Sequence, residues 1–219
     1  MKLRTCSSDK SLSEIIASIF KSYNTLFAKL SQTCMDKPKP KTVIVLVGMP
    51  GAGKSLASSV AAKRGVPVFV SGDIIRAEAK RKKLSPTRKN LGRLMLKIRE
   101  EEGMGAVAKR LTPLIDKIDK TQFVYEGARS IEEIEELNRK YHVFTIAIHA
   151  SPKSRFRRLQ KRRRSDRPRN WTDFLERDNR ELKVGVGKLI AIADRVVENE
   201  DTKNDLKRRT GRLLRTLPN

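Results

Sequence analysis

"TVIVLVGMPGAGKS", residues 42 to 55, runs from an apolar, β-branched hexapeptide straight into a loop with glycine at 48, 51 and 53. The hexapeptide reads as a buried strand, and "KSLASSVAAKR" from residue 54 reads as a helix. Between them the pattern G-x-x-x-x-G-K-[ST] is met by Gly48, Gly53, Lys54 and Ser55, in the strand-before, helix-after context that gives it physical meaning. Glycines allow consecutive backbone N–H groups to turn inward around phosphate oxygens, and the helix start adds its positive dipole end. Gly48, Met49, Pro50, Gly51, Ala52 and Gly53 therefore form a candidate cradle for ATP phosphates. Lys54 would reach the β and γ phosphates and Ser55 would ligate Mg²⁺.

Outward from the loop, strands alternate with helices. "VPVFV", "QFVYEG", "VFTIAIHA" and "RVVEN" read as further strands. Helical stretches are expected from Ile74, Thr87 and Ala106, through "IEEIEELNRKY", after Pro152, around "GVG" and at the C-terminal end. Five strands separated by helices predict an α/β fold with a parallel sheet and crossovers on both faces. Residues 1–41 differ. Apolar residues from Ile15 to Leu30 recur at helical spacing, followed by the linker "MDKPKPK", so this section reads as an amphipathic helix and a Pro/Lys linker, with Met35 as an alternative start.

The 219 residues hold 49 Lys and Arg against 25 Asp and Glu, a net charge of +24, which points to anionic partners. Arginines concentrate in "SRFRRLQKRRRSDRPR", residues 154 to 169. The two cysteines, Cys6 and Cys34, build neither a disulfide framework nor a CxxC metal site, which suits a reducing, cytoplasmic setting. No apolar stretch is long enough for a membrane span.

Taken together, "GMPGAGKS", "VPVFVSGDIIRAEAK", "YEGARS", "RRLQKRRRSD", "ERDNREL" and "ADRVVEN" resemble the nucleoside-monophosphate-kinase branch of P-loop proteins. The similarity is to an archaeal family described as adenylate-kinase-related or dephospho-CoA-kinase-like, and runs from about Thr42 to Leu214. The resemblance implies a P-loop kinase three-layer sandwich, a helical acceptor-binding region over about 73–120 and a basic lid over about 160–180. It implies that Arg76 contacts an acceptor monophosphate and that Asp73 sits near magnesium; Asp73 also reads as the N-cap of a helix beginning at Ile74. "YEGARS" resembles the "DGxxR" element, so Arg129 would grip the acceptor phosphate, with Glu126 in place of the usual Asp beside the metal. Arg158 and Arg162 match the pair preceding the lid, Arg164 and Arg177 resemble lid arginines, and Asn199 resembles a residue bordering adenine. Arg167 stands where the family often has an acid.

Such a set implies ATP- and Mg²⁺-dependent phosphoryl transfer to a nucleoside monophosphate, AMP foremost, or to dephospho-CoA. Lid arginines would neutralise charge on the transferring group and exclude water. The alternative is an adenylate-kinase-type ATPase that works on RNA or ribosomal particles through its basic surface. The charge excess favours that alternative more than a small acceptor does, although aromatics are too few for base stacking. A nucleotide-binding protein without turnover is the third reading.

Overall fold

The computed structural model describes residues 41–161 and 167–217. The expected N-terminal helix and linker, with Met35, and the candidate lid residues Arg162 and Arg164 lie outside the described residues.

Five strands form one all-parallel sheet: β1 (Thr42–Val47), β2 (Val68–Val70), β3 (Gln122–Glu126), β4 (His142–His149) and β5 (Arg195–Glu198). Their order across the sheet is β2-β3-β1-β4-β5. The hexapeptide of β1 is thus the central strand, with Thr42 opposite both Gln122 and His142, and all six of its residues are buried. Burial on both faces is what an unbroken apolar run, rather than an alternating one, encodes.

Between the strands run α1 (Lys54–Ala62), α2 (Ser71–Arg81), α3 (Arg88–Glu102), α4 (Ala106–Asp116), α5 (Ile131–Asn138), α6 (Pro152–Gln160), α7 (Trp171–Val184), α8 (Val186–Ala191) and α9 (Lys203–Thr216). Successive β1 side chains point to opposite faces, and two cores result. Val43, Val45 and Val47 pack with residues of α2 to α5 and with Leu189 of α8. Ile44 and Leu46 pack with Ala57 and Ala61 of α1 and Leu206 of α9. This is the expected sandwich of helices on both faces of a parallel sheet.

Two local expectations are corrected. β2 begins at Val68, not Val66; Pro67 has no N–H to give to a ladder. The next helix begins at Ser71, not Ile74, with Val70 at its N-cap. Asp73 is therefore not a cap but a first-turn acid, where the helix dipole favours it.

Because every strand runs the same way, the ends of β1, β3 and β4 and the loops that follow them gather at one sheet edge, the usual ligand-binding edge of an open α/β sheet. The turn into α6 is tied to the loop after β5 by Glu200, which accepts from the Ser151 backbone N–H and, at 2.5 Å, from the Ser154 hydroxyl. These hydrogen bonds, Ser154's first, hold the Glu200 carboxyl below its ordinary value of 4.5. A depressed native pKa means the stabilisation is fully present above the unfolded-state value and is lost as pH falls through the native one. Glu200→Gln should cost about 0.5–1 kcal/mol at neutral pH, the group being exposed and screened. Thermal melts from neutral to acid pH should show the variant losing less stability than the parent chain as carboxylates protonate.

Candidate functional site

The glycine loop is held in shape by three separate segments. Gly48, Gly51 and Gly53 all have positive φ, at 145°, 83° and 115°. A side chain at Gly48 would strike the Ile148 carbonyl oxygen of β4, and one at Gly53 would strike the Asn199 amide. One at Gly51 would come within 2.9 Å of the Arg155 carbonyl oxygen of α6. Backbone freedom and close approach thus both demand glycine here.

Lys54 Nζ crosses its own loop, donating to the carbonyls of Gly48 (2.6 Å) and Met49 (3.3 Å). Ala52 N–H donates to the Met49 carbonyl at 3.1 Å, closing the turn. At the start of α1, the Ser55 hydroxyl donates to Glu126 Oε1 at 2.8 Å, while Ser58 donates to Oε2 at 2.6 Å. Glu126 is 6% exposed at the end of β3. The glutamate's extra methylene, compared with the expected aspartate, still delivers its carboxylate to the metal-ligand candidate Ser55.

A hydroxyl beside a carboxylate is a hard-oxygen set suited to Mg²⁺, which keeps several waters and takes few protein ligands. Among the described residues no cluster of three or more His, Cys, Asp or Glu side chains could cage a metal. The residues fit a cation carried in largely by phosphate.

A cavity of about 190 Å³ opens over the loop. Gly48, Pro50, Gly51, Gly53, Lys54 and Ser55 line it from one side, Glu126 to Arg129 from the β3 end, and Arg177, Glu181 and Val186 from the third. Arg129 Nη1 meets Glu181 Oε2 at 2.5 Å. A second cavity, of about 310 Å³, is lined by Gly53, Leu56, Arg158, Lys161, Asn199, Asp201 and Lys203. Gly53 borders both.

The structure therefore brings together Gly48, Gly51, Gly53, Lys54, Ser55, Glu126, Arg129 and Arg177, and places Arg158 beside them. It does not bring in Asp73 or Arg76. These two pair with each other on the exposed first turns of α2, and neither lines the cavity. Asn199 lies at the loop, but its amide is committed: Nδ2 donates to the Ala52 carbonyl at 2.6 Å. It braces the cradle with one of its two N–H donors and walls the second cavity. Arg158 Nη2 donates in turn to the Asn199 carbonyl at 2.7 Å.

Sequence reasoning missed Glu181 and the buried pair of Arg155 and Asp178. Glu181 was signalled by its position one helical turn after Arg177 on the same face. Arg155 was hidden among the other arginines of a basic run.

The family model described as "AAA domain" matches residues 47–174. A UPF0200 protein of Hyperthermus butylicus is 40% identical over 177 residues, covering 81% of this chain and 95% of that protein. The chain belongs to the UPF0200 family. Another UPF0200 protein, from Pyrococcus furiosus, is 42% identical over 177 residues, 78% of this chain and 95% of its own. Among solved structures, a Thermus thermophilus protein aligns with a TM-score of 0.62 at 19% identity, over 83% of this chain and all of that one. Shikimate kinase from Bacteroides thetaiotaomicron aligns with a TM-score of 0.56 at 20% identity, over 80% and 98%. These likenesses carry the fold alone: this UPF0200 chain shares its α/β architecture with both proteins.

Gly53→Ala should remove detectable ATP binding in a calorimetric titration, because the new methyl group meets the Asn199 amide and φ is unfavourable. Gly92→Ala, on α3 with open space around it, is the control and should bind as the parent chain does.

Proposed function

We propose that this chain is an ATP- and Mg²⁺-dependent phosphotransferase acting on a small phosphorylated acceptor, with a nucleoside monophosphate such as AMP foremost and dephospho-CoA second. The observation that carries this reading is that Arg129 and Arg177 line the same cavity as the phosphate loop. Two further guanidinium groups at the loop, from separate segments, give a second anion a place to bind beside the donor phosphates. A kinase with two anionic substrates needs such a place. The family membership and the P-loop kinase fold support the same reading.

In this proposal the loop's backbone N–H groups hold the donor phosphates together with Lys54, whose ammonium leaves its own loop carbonyls; Pro50 has no N–H to give, and that of Ala52 closes the turn. The cavity across Gly53, walled by Leu56, Arg158 and Asn199, takes the nucleoside. Magnesium, held at Ser55 with Glu126 behind it, would neutralise phosphate charge. Arg129 faces the acceptor, and Arg177 faces the space between the two substrates. Transfer through a loose transition state needs alignment and positive charge more than a base, and a phosphate acceptor is already nucleophilic. For a hydroxyl acceptor the carboxylate at hand is Glu181, since Asp73 lies outside the cavity. AMP therefore ranks first. The structural support for Arg76 in acceptor binding is weaker than that for Arg129. The extended assignment of an acceptor region over about 73–120 and a lid over about 160–180 is part of the same proposal. No helix among the described residues is long and apolar enough to cross a membrane.

Incubation with Mg–ATP and AMP, CMP, UMP, dephospho-CoA or RNA, followed by separation of nucleotides, tests the reading. AMP should yield two ADP for each AMP and ATP consumed, the mixture settling at an equilibrium because one phosphoanhydride bond replaces another. Lys54→Ala should lower turnover by about 10²–10³-fold. Arg129→Ala should reduce kcat/KM for the acceptor by about 10–100-fold, the worth of a charge-assisted contact, with smaller effects on ATP. ADP released only when RNA is present would favour the RNA-linked ATPase instead. Unchanged acceptor kinetics in Arg129→Ala would mean the second substrate binds elsewhere.

A further inference from the structure

Arg155 and Asp178 line neither cavity, yet they form the most completely bonded ion pair near the site. Arg155 is 4% and Asp178 7% exposed. Arg155 Nη1 and Nη2 meet Asp178 Oδ1 and Oδ2 at 2.8 and 2.6 Å, a bidentate fork. Nε donates to the Ala150 carbonyl at 3.1 Å, and Nη1 also donates to the Pro50 carbonyl at 3.3 Å. The guanidinium lies over the Phe174 ring, 5.0 Å from its centroid.

One side chain thus joins three segments: the phosphate loop at Pro50, the turn after β4 at Ala150, and α7 at Phe174 and Asp178. Its own backbone adds a fourth contact, since Gly51 packs against the Arg155 carbonyl. Desolvating two charges makes such a pair a poor source of stability compared with apolar packing. What a planar fork supplies is direction, because bidentate pairing accepts only one mutual orientation.

That direction matters because of what lies next to Asp178. Arg177 is its chain neighbour and Glu181 is one turn on, and both line the cavity over the loop. Locking the Asp178 carboxylate fixes the roll of α7, and the roll of α7 aims Arg177. The loop at Pro50 and the helix carrying Arg177 are referred to the same guanidinium.

We infer that the Arg155–Asp178 pair sets the position of Arg177 relative to the phosphate loop, so that Arg155 and Asp178 are positioning residues for the transferring phosphoryl group. This rests on the phosphotransfer reading above. An error of about 1 Å in such a group costs about 10²-fold in rate, so the pair affects the transfer state far more than ground-state nucleotide binding.

The test uses the full chain and two titrations, both with saturating AMP as the acceptor: Mg–ADP without and with aluminium fluoride, which mimics the transferring phosphoryl group between ADP and AMP. Variants are Asp178→Asn, Asp178→Glu, Arg155→Lys, Arg177→Ala and the Asp178→Asn/Arg177→Ala double, each with its thermal midpoint measured. The parent chain should bind ADP more tightly with aluminium fluoride. The Asp178 and Arg155 variants should keep ADP affinity within a few-fold while losing about 10–100-fold of that tightening. The double variant should be no worse than Arg177→Ala alone, since residues acting as a unit are not additive. Asp178→Glu keeps the charge and shifts the carboxylate by one methylene, so it reads the geometry even if Asp178→Asn fails to fold. Full tightening in Asp178→Glu and Arg155→Lys, or losses that simply add in the double variant, would overturn the positioning role alone. ADP binding without any tightening in the parent chain would instead overturn the phosphotransfer reading and this inference with it.

Discussion

The site depends on the conformation of six backbone units, residues 48–53, which would be strained for any side-chain-bearing residue at three points. The loop keeps that conformation because its glycines are pressed against β4, α6 and the residue after β5. Asn199 makes the coupling reciprocal: its amide fills the space beside Gly53 and holds the carbonyl of Ala52. Aligned amides are useful to an anion only if they need no reorganisation when it arrives. The packing around the loop provides that.

Charge in the cavity is positive but partly offset. Lys54, Arg129 and Arg177 face Glu126 and Glu181 across it. Glu126 is held by two hydroxyls, Ser55 and Ser58, so its carboxylate is oriented before any cation arrives. Glu181 occupies Arg129 through a single nitrogen. An incoming phosphate must compete with that carboxylate or use the rest of the guanidinium. Either way, the Glu181 carboxylate holds Arg129 at the cavity.

The order of strands and helices was legible because each rests on local pattern. The unbroken run of β1 announced a strand buried on both faces, and the motif at its end announced the loop. Glu126, Arg129 and Arg177, which line the cavity over the loop, stand out in the sequence because their neighbours carry a resemblance. What escaped depends on tertiary contacts. Asp73 reads as a cap from its residue type, but the helix starts two residues earlier because Val70 ends its strand in an extended conformation. Arg76 reads as a ligand, but its guanidinium finds Asp73 one turn back. Asn199 reads as a base contact from its position after β5, but its amide turns to the loop. Arg155 differs from the other arginines of its run only in facing Asp178, 23 residues away, which no local pattern records.

On the proposed reading, the glycine loop, with Ser55 and Glu126 at its rim, holds a nucleoside triphosphate together with its magnesium. Calorimetric titration of the intact chain with ATP, in the presence and absence of Mg²⁺, tests it most directly. Saturable one-to-one binding is expected in both cases, tightened by Mg²⁺ by about 10-fold, or about 1.4 kcal/mol. Absence of binding, or binding indifferent to the metal, would contradict it.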